Sequence, residues 1–168
     1  NRAFWIICVL FLAIQYFLCI HYGMKRDYLF CDEVYSYGLA NSNEYTFLHP
    51  GENDEPLDNW VSGSYFSDYM NYCDEAFNYK AAYVNQERDV HPPLYYMLLH
   101  TVCRFFKEAG YSAIPGIVLN LIILAFVDIV LMYVAANLLE SRWRGLAATV
   151  LWGISSVGIS NCMLIRMY

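Results

Sequence analysis

The chain has 168 residues, of which 58% are hydrophobic and 15% charged, with a formal net charge of −6 and a mean hydropathy of +0.30. Soluble domains usually carry about 25% charged residues, so this composition argues against an ordinary soluble protein and for a membrane protein. The acidic balance also excludes a nucleic-acid binder that works through a basic surface.

The first predicted element covers residues 3–22, which read AFWIICVLFLAIQYFLCIHY and carry no charge when His21 is neutral. Twenty helical residues rise roughly 30 Å, about one hydrocarbon core. The exit Ile20-His21-Tyr22-Gly23 lacks the small-x-small pattern of a cleaved signal peptide, so this helix is expected to stay in the membrane.

Residues 23–90 form an acidic loop. Residues 23–89 hold thirteen acids against four bases, a net of −9, while the rest of the chain carries +3. Lys and Arg outside the loop lie close to helix ends, which by the positive-inside bias places Arg2 in the cytoplasm and the loop outside. The loop is rich in Tyr and Phe, which disordered segments lack. Stretches 33–40 and 69–84 are expected as short helices near the headgroup layer, where Tyr and Trp are comfortable. Between them, 49–59 contains Pro50, Gly51, Asn53 and Pro56 and is expected to be irregular. Cys31 and Cys73 lie in the loop and could pair in an oxidising compartment or stay as free thiols.

Three further helical segments follow. Residues 92–106 start at a Pro-Pro pair, are short, and either span or re-enter the membrane. Residues 117–139 are strongly apolar. Residues 146–165 are rich in Gly, Ala and Ser, like membrane helices that pack closely. If all four segments span, Arg166 is cytoplasmic; if 92–106 is re-entrant, Arg166 faces the same side as the loop. The expected fold class is all-α, with polytopic membrane helices and a large extracytoplasmic first loop containing short interfacial helices. Residues 1–168 read as the N-terminal part of one membrane domain, a fragment of a longer chain.

Chemistry-bearing residues are few. Asp32-Glu33 stand about ten residues beyond the first membrane helix, which tethers them near the membrane surface. One carboxylate suits a general base, although acids at a helix start also simply favour the helix dipole. His91 precedes Pro92-Pro93 at a helix entrance. A helix N-terminus attracts anions, prolines remove backbone donors, and a cationic His91 could replace them; a rigid, capped helix start is the plainer reading. Arg166 closes the last apolar segment, where it either snorkels or offers its planar fork to a phosphate. Asp128 lies mid-segment in 117–139, a functional candidate by position or a buried hydrogen-bond partner. The acids and amides of 53–59 offer hard ligands for Ca²⁺ but lack the spacing of a known calcium loop. Asp74-Glu75 is a second acid pair with no positional argument. No phosphate-cradling Gly loop, zinc spacing or nucleophilic triad is visible.

The acid pair, the His-Pro-Pro run and the terminal Arg occur in a fixed order: Phe30-Cys31-Asp32-Glu33-Val34-Tyr35-Ser36-Tyr37-Gly38-Leu39-Ala40-Asn41, then Asp89-Val90-His91-Pro92-Pro93-Leu94-Tyr95-Tyr96-Met97-Leu98-Leu99-His100, then Trp143-Arg144-Gly145-Leu146-Ala147-Ala148 opening the helix that closes on Ile165-Arg166-Met167-Tyr168. This order resembles the N-terminal module of the membrane-embedded GT-C glycosyltransferases, and most nearly the bacterial protein-mannosyltransferase and aminoarabinose-transferase-like enzymes. The resemblance implies a polyprenyl-phosphate-linked sugar donor in a bacterial plasma membrane, used on the outer face. It also implies an extracytoplasmic hydroxyl acceptor on a glycan, lipid or protein. It implies inversion at the anomeric carbon, with Asp32 as the base and Glu33 beside it. It implies His91 and Arg166 as contacts to the donor phosphate, and so Arg166 outside. Some such enzymes use a divalent metal, which here would fall to Asp32. Two other classes fit the composition. One is a non-enzymatic membrane protein whose acidic loop binds a cation or partner. The other is a transporter of lipid-linked saccharide, which would need more polar residues on facing helices than these segments carry.

Overall fold

The computed structural model describes residues 2–42, 60, 62–71, 77–87, 89–106 and 112–166. Every regular element among them is an α-helix: α1 (Arg2–Met24), α2 (Cys31–Asn41), α3 (Gly63–Met70), α4 (Tyr79–Glu87), α5 (Leu94–Phe105), α6 (Ile114–Leu138), α7 (Arg142–Gly153) and α8 (Ser156–Met163). Cys73, Asp74, Glu75 and the residues 53–59 considered for Ca²⁺ lie outside the described residues. The chain divides into two compact units, Asn1–Arg26 with Ile117–Leu164, and Asp27–Gly116 with Ile165–Tyr168.

The first unit is the membrane part. Helices α1 and α6, with 23 and 25 residues, are long and apolar enough to cross a bilayer, since each rises about 35 Å or more. Large apolar side chains such as Trp5, Val9 and Phe17 on α1 and Phe126 and Ile129 on α6 are exposed, as lipid-facing residues must be. The single helix expected over 146–165 is instead two, α7 and α8, which pass the length and hydropathy test together but bend by 61°. Ser155 is the cause. Its backbone turns extended (φ −66°, ψ 156°), its hydroxyl donates to the Trp152 carbonyl at 2.6 Å, and the same oxygen accepts the Gly158 N–H at 3.1 Å. Ser155 thus ends one helix and caps the next.

Small residues set the packing of this unit. A Cβ at Gly153 would lie 2.5 Å from Gln15 and 2.6 Å from Phe11 of α1, and one at Gly145 would lie 2.7 Å from the Ala136 backbone of α6. Such close approach is how membrane helices gain packing contacts without a hydrophobic drive between them. The α6–α7 turn closes with Glu140 in the left-handed region (φ 52°), and Arg144 donates to the Leu139 carbonyl at 3.0 Å. Below α8, Asn120 donates to the carbonyls of Cys162 (2.9 Å) and Leu164 (2.8 Å), and Arg26 donates to that of Met163. A helix that ends within membrane-forming structure needs its freed carbonyls satisfied in this way.

The second unit is built around α2, which packs on α3, α4 and α5. Seven of its eleven residues are buried. It is therefore the hub of this unit rather than a helix lying on a surface. Helix α5 has 12 residues, about 18 Å, too short for a hydrocarbon core. Its buried residues, Tyr95, Tyr96, Leu99, His100, Cys103 and Arg104, recur at three- and four-residue spacing and form one stripe. The helix expected over 69–84 is not continuous: α3 ends at Met70, α4 begins at Tyr79, and Phe77 adopts φ 57°, which no right-handed helix accommodates.

Side-chain hydrogen bonds lock α2 in place. Asn85 of α4 donates to the Leu39 and Ser42 carbonyls at 2.9 and 3.0 Å. The His100 Nδ1 donates to the Ala40 carbonyl at 2.9 Å. The hydroxyl of the fully buried Tyr37 accepts the Gly116 N–H at 2.9 Å. Gly38 leaves room for the Tyr69 ring of α3, which a Cβ would meet at 2.1 Å.

Candidate active site

The acid pair begins α2, and its two members have separate roles. Adjacent helical residues point about 100° apart. Here that angle turns Glu33 into the protein and leaves Asp32 at the surface. Glu33 is fully buried. Its Oε2 accepts the Phe30 N–H at 2.9 Å, the reciprocal half of a capping box. Its Oε1 accepts the Ile165 N–H at 2.8 Å. Both oxygens therefore serve the backbone, one at the helix start and one 132 positions along the chain.

That second bond positions the next residue. Ile165 is fully buried, and a Cβ at Gly116 would come within 2.5 Å of its side chain, so residue 165 is held by its N–H on one side and by its packed side chain on the other. Arg166 then lies beside Asp32, with Nη1 3.3 Å from Oδ2. The side chains are 27% and 46% exposed respectively. The guanidinium carbon also stands 5.9 Å from the centre of the Phe30 ring, within cation–π range. A carboxylate, a guanidinium and an aromatic face thus share one solvent-reachable corner at the α2 N-terminus.

His91 is placed differently. Its Nδ1 lies 2.9 Å from Asp89 Oδ2, with side-chain exposures of 29% and 13%, and its ring centre stands 6.3 Å from that of Tyr96. His91 thus contacts Asp89 and Tyr96. Pro93 occupies the cap position of α5, and its carbonyl accepts the Met97 N–H at 3.0 Å, so His91 precedes the helix by three residues rather than one. The structure thus brings together Asp32, Glu33 and Arg166, and it pairs His91 with an acid of its own.

Among the described residues no three His, Cys, Asp or Glu side chains gather as a metal site. Sequence reasoning missed Phe30 and Ile165. Phe30 stands two residues before Asp32, but its cationic partner is 136 positions away, and Ile165 acts through a backbone N–H that no side-chain pattern reports. No protein-family model matches the chain, and no curated protein or solved structure matches it.

Proposed function

We propose that the chain belongs to a membrane glycosyltransferase that moves a sugar from a polyprenyl-phosphate donor to a hydroxyl acceptor outside the cytoplasm, with inversion. The observation that carries this reading is the Asp32–Arg166 pair, a half-exposed carboxylate next to a guanidinium in a protein whose other unit is built to cross the bilayer. A base and an anion-binding cation side by side are what such a displacement requires.

In this mechanism the donor phosphate binds Arg166, whose fork suits it better than a single carboxylate oxygen at 3.3 Å does. The Asp32 carboxylate then accepts a proton. The acceptor oxygen attacks the anomeric carbon from the face opposite the phosphate. Its O–H proton passes to Asp32, and the bond between the anomeric carbon and the phosphate oxygen breaks, leaving its electron pair on that oxygen. A general base contributes roughly 10²–10⁴-fold. Charge growing on the leaving phosphate is stabilised by Arg166. Glu33 takes no proton in this scheme; it is a positioning residue for Arg166.

The test is sugar transfer by the protein in membranes, offered a panel of polyprenyl-phosphate sugars. The expected result is release of polyprenyl phosphate by the unaltered protein and its loss in Asp32→Asn at equal membrane insertion. A reading in which the acidic loop merely binds a cation predicts no donor consumption, and binding that survives Asp32→Asn.

A further inference from the structure

The membrane unit contains a second polar feature that the transfer reaction does not use. Asp128 lies fourteen residues into α6, about 21 Å from its start and about 15 Å from its end, so it sits near the middle of the span. It is 4% exposed. Among the described residues neither of its oxygens, both shielded from solvent, has a hydrogen-bond partner. Gln15 of α1 is near enough for its amide to lean toward the carboxyl without closing a hydrogen bond of ordinary length, and that amide donates to the Gly153 carbonyl at 3.3 Å. The Thr149 hydroxyl donates to the Gly145 carbonyl at 3.0 Å. The Thr149 hydroxyl proton and one of the two Gln15 amide protons are thus engaged within the helices.

Asp128 lines a cavity of about 240 Å³ between α1, α6 and α7. Its floor includes the buried Phe11, Leu146 and Thr149, and its rim includes Trp5 and Ile129, which are 65% and 60% exposed. The cavity therefore opens where the helices present apolar side chains. It is larger than the roughly 150 Å³ apolar cavity that holds benzene.

From this we infer a binding site for a lipid-soluble alcohol, its hydroxyl donating to Asp128 and its hydrocarbon lying against the Phe11, Leu146 and Ile129 walls. The chemistry selects this class. A bare hydrocarbon chain leaves the carboxyl unsatisfied, which is costly away from water. A cation would lose its hydration for one carboxyl in an otherwise apolar wall. Water needs two to four polar partners, and apart from Asp128, Thr149 and Cys8 the lining is apolar. An uncharged donor on an apolar body meets both requirements. The site involves neither Asp32 nor Arg166 and stands apart from the proposed transfer activity.

Trp5 on the rim supplies the readout. The protein in lipid nanodiscs is titrated with 10-bromodecan-1-ol and, separately, with 1-bromodecane, and the Trp5 signal is taken as the difference from Trp5→Phe. Saturable quenching of Trp5 by the alcohol is expected, with bromodecane giving only the unsaturable quenching of bilayer partitioning. Asp128→Leu should weaken binding of the alcohol by about tenfold, the loss of one hydrogen bond made out of water. Asp128→Asn keeps an acceptor oxygen and should retain binding. Ala125→Phe fills the cavity while keeping Asp128 and should abolish saturation, which decides the matter if Asp128→Leu does not insert. Equal quenching by the two bromides, or an unchanged titration in both Asp128→Leu and Ala125→Phe, overturns the proposal. So does a Trp5 shielded from both probes by another transmembrane helix.

Discussion

Asp32 and Glu33 are neighbours in sequence and opposites in environment. Glu33 spends both oxygens on backbone donors, the part-buried one of Phe30 and the buried one of Ile165. Glu33→Gln can satisfy one of the two by its carbonyl and sets an amide N–H against the other. The expected cost is about 1–3 kcal/mol of stability, that of a buried donor left unpaired, measured as a lower thermal midpoint in detergent or nanodiscs. Asp32 contributes little to stability, because a pair this exposed is worth about 0–1 kcal/mol. Its replacement should act on turnover instead. Arg166→Gln removes the cation from the leaving phosphate and should lower kcat by about 10²–10³-fold, read in the same transfer assay. The acid pair was legible as a candidate from its place after the first membrane helix. Which acid faces solvent was not, because the burial of Glu33 depends on a backbone N–H at 165 that arrives from the far end of the chain.

At the scale of elements, the membrane spans were legible and the breaks were not. Residues 3–22 and 117–139 are long apolar runs, and the observed helices Arg2–Met24 and Ile114–Leu138 overlap them closely. The bend at Ser155 was hidden because Ser and Gly are also ordinary packing residues within membrane helices; what reveals it is an extended ψ and two hydroxyl hydrogen bonds. Phe77 breaks the helix expected over 69–84 although a large aromatic rarely takes a positive φ, so no local rule flags it. Two substitutions test these elements. Gly38→Ala forces a methyl into the Tyr69 ring and should destabilise the second unit by about 1–3 kcal/mol, the usual cost of overpacking. Glu140→Gly relieves a left-handed residue at an exposed turn, and should raise the thermal midpoint, since that conformation costs an L-residue roughly 1–2 kcal/mol.

At the scale of the whole molecule, a membrane-spanning unit accompanies a helical unit whose centre is the buried helix α2. That second unit carries a built-in acid sensitivity. Burial, reinforced by the Arg104 charge, pushes the His100 pKa down, against a smaller opposing effect of its bond to Ala40. Folding therefore favours the neutral ring. The contribution is complete above the unfolded value of about 6.5 and is lost as the pH falls from there through the folded value, because the unfolded chain then binds a proton that the folded one refuses. Thermal midpoints should fall as the pH drops below about 6.5, and His100→Gln should flatten that slope. Composition alone pointed to the membrane class, whereas the partnership of residue 33 with residue 165 appears only in three dimensions.

The division of labour between Asp32 and Glu33 is tested most directly by measuring turnover and thermal midpoint together for Asp32→Asn and Glu33→Gln in the same membranes, with a polyprenyl-phosphate sugar as donor. Asp32→Asn should lose transfer by about 10²-fold or more with its midpoint unchanged, and Glu33→Gln should lose stability while keeping measurable transfer at low temperature. Normal turnover by Asp32→Asn would contradict the assignment of Asp32 as the base, and with it the proposed reaction at this site.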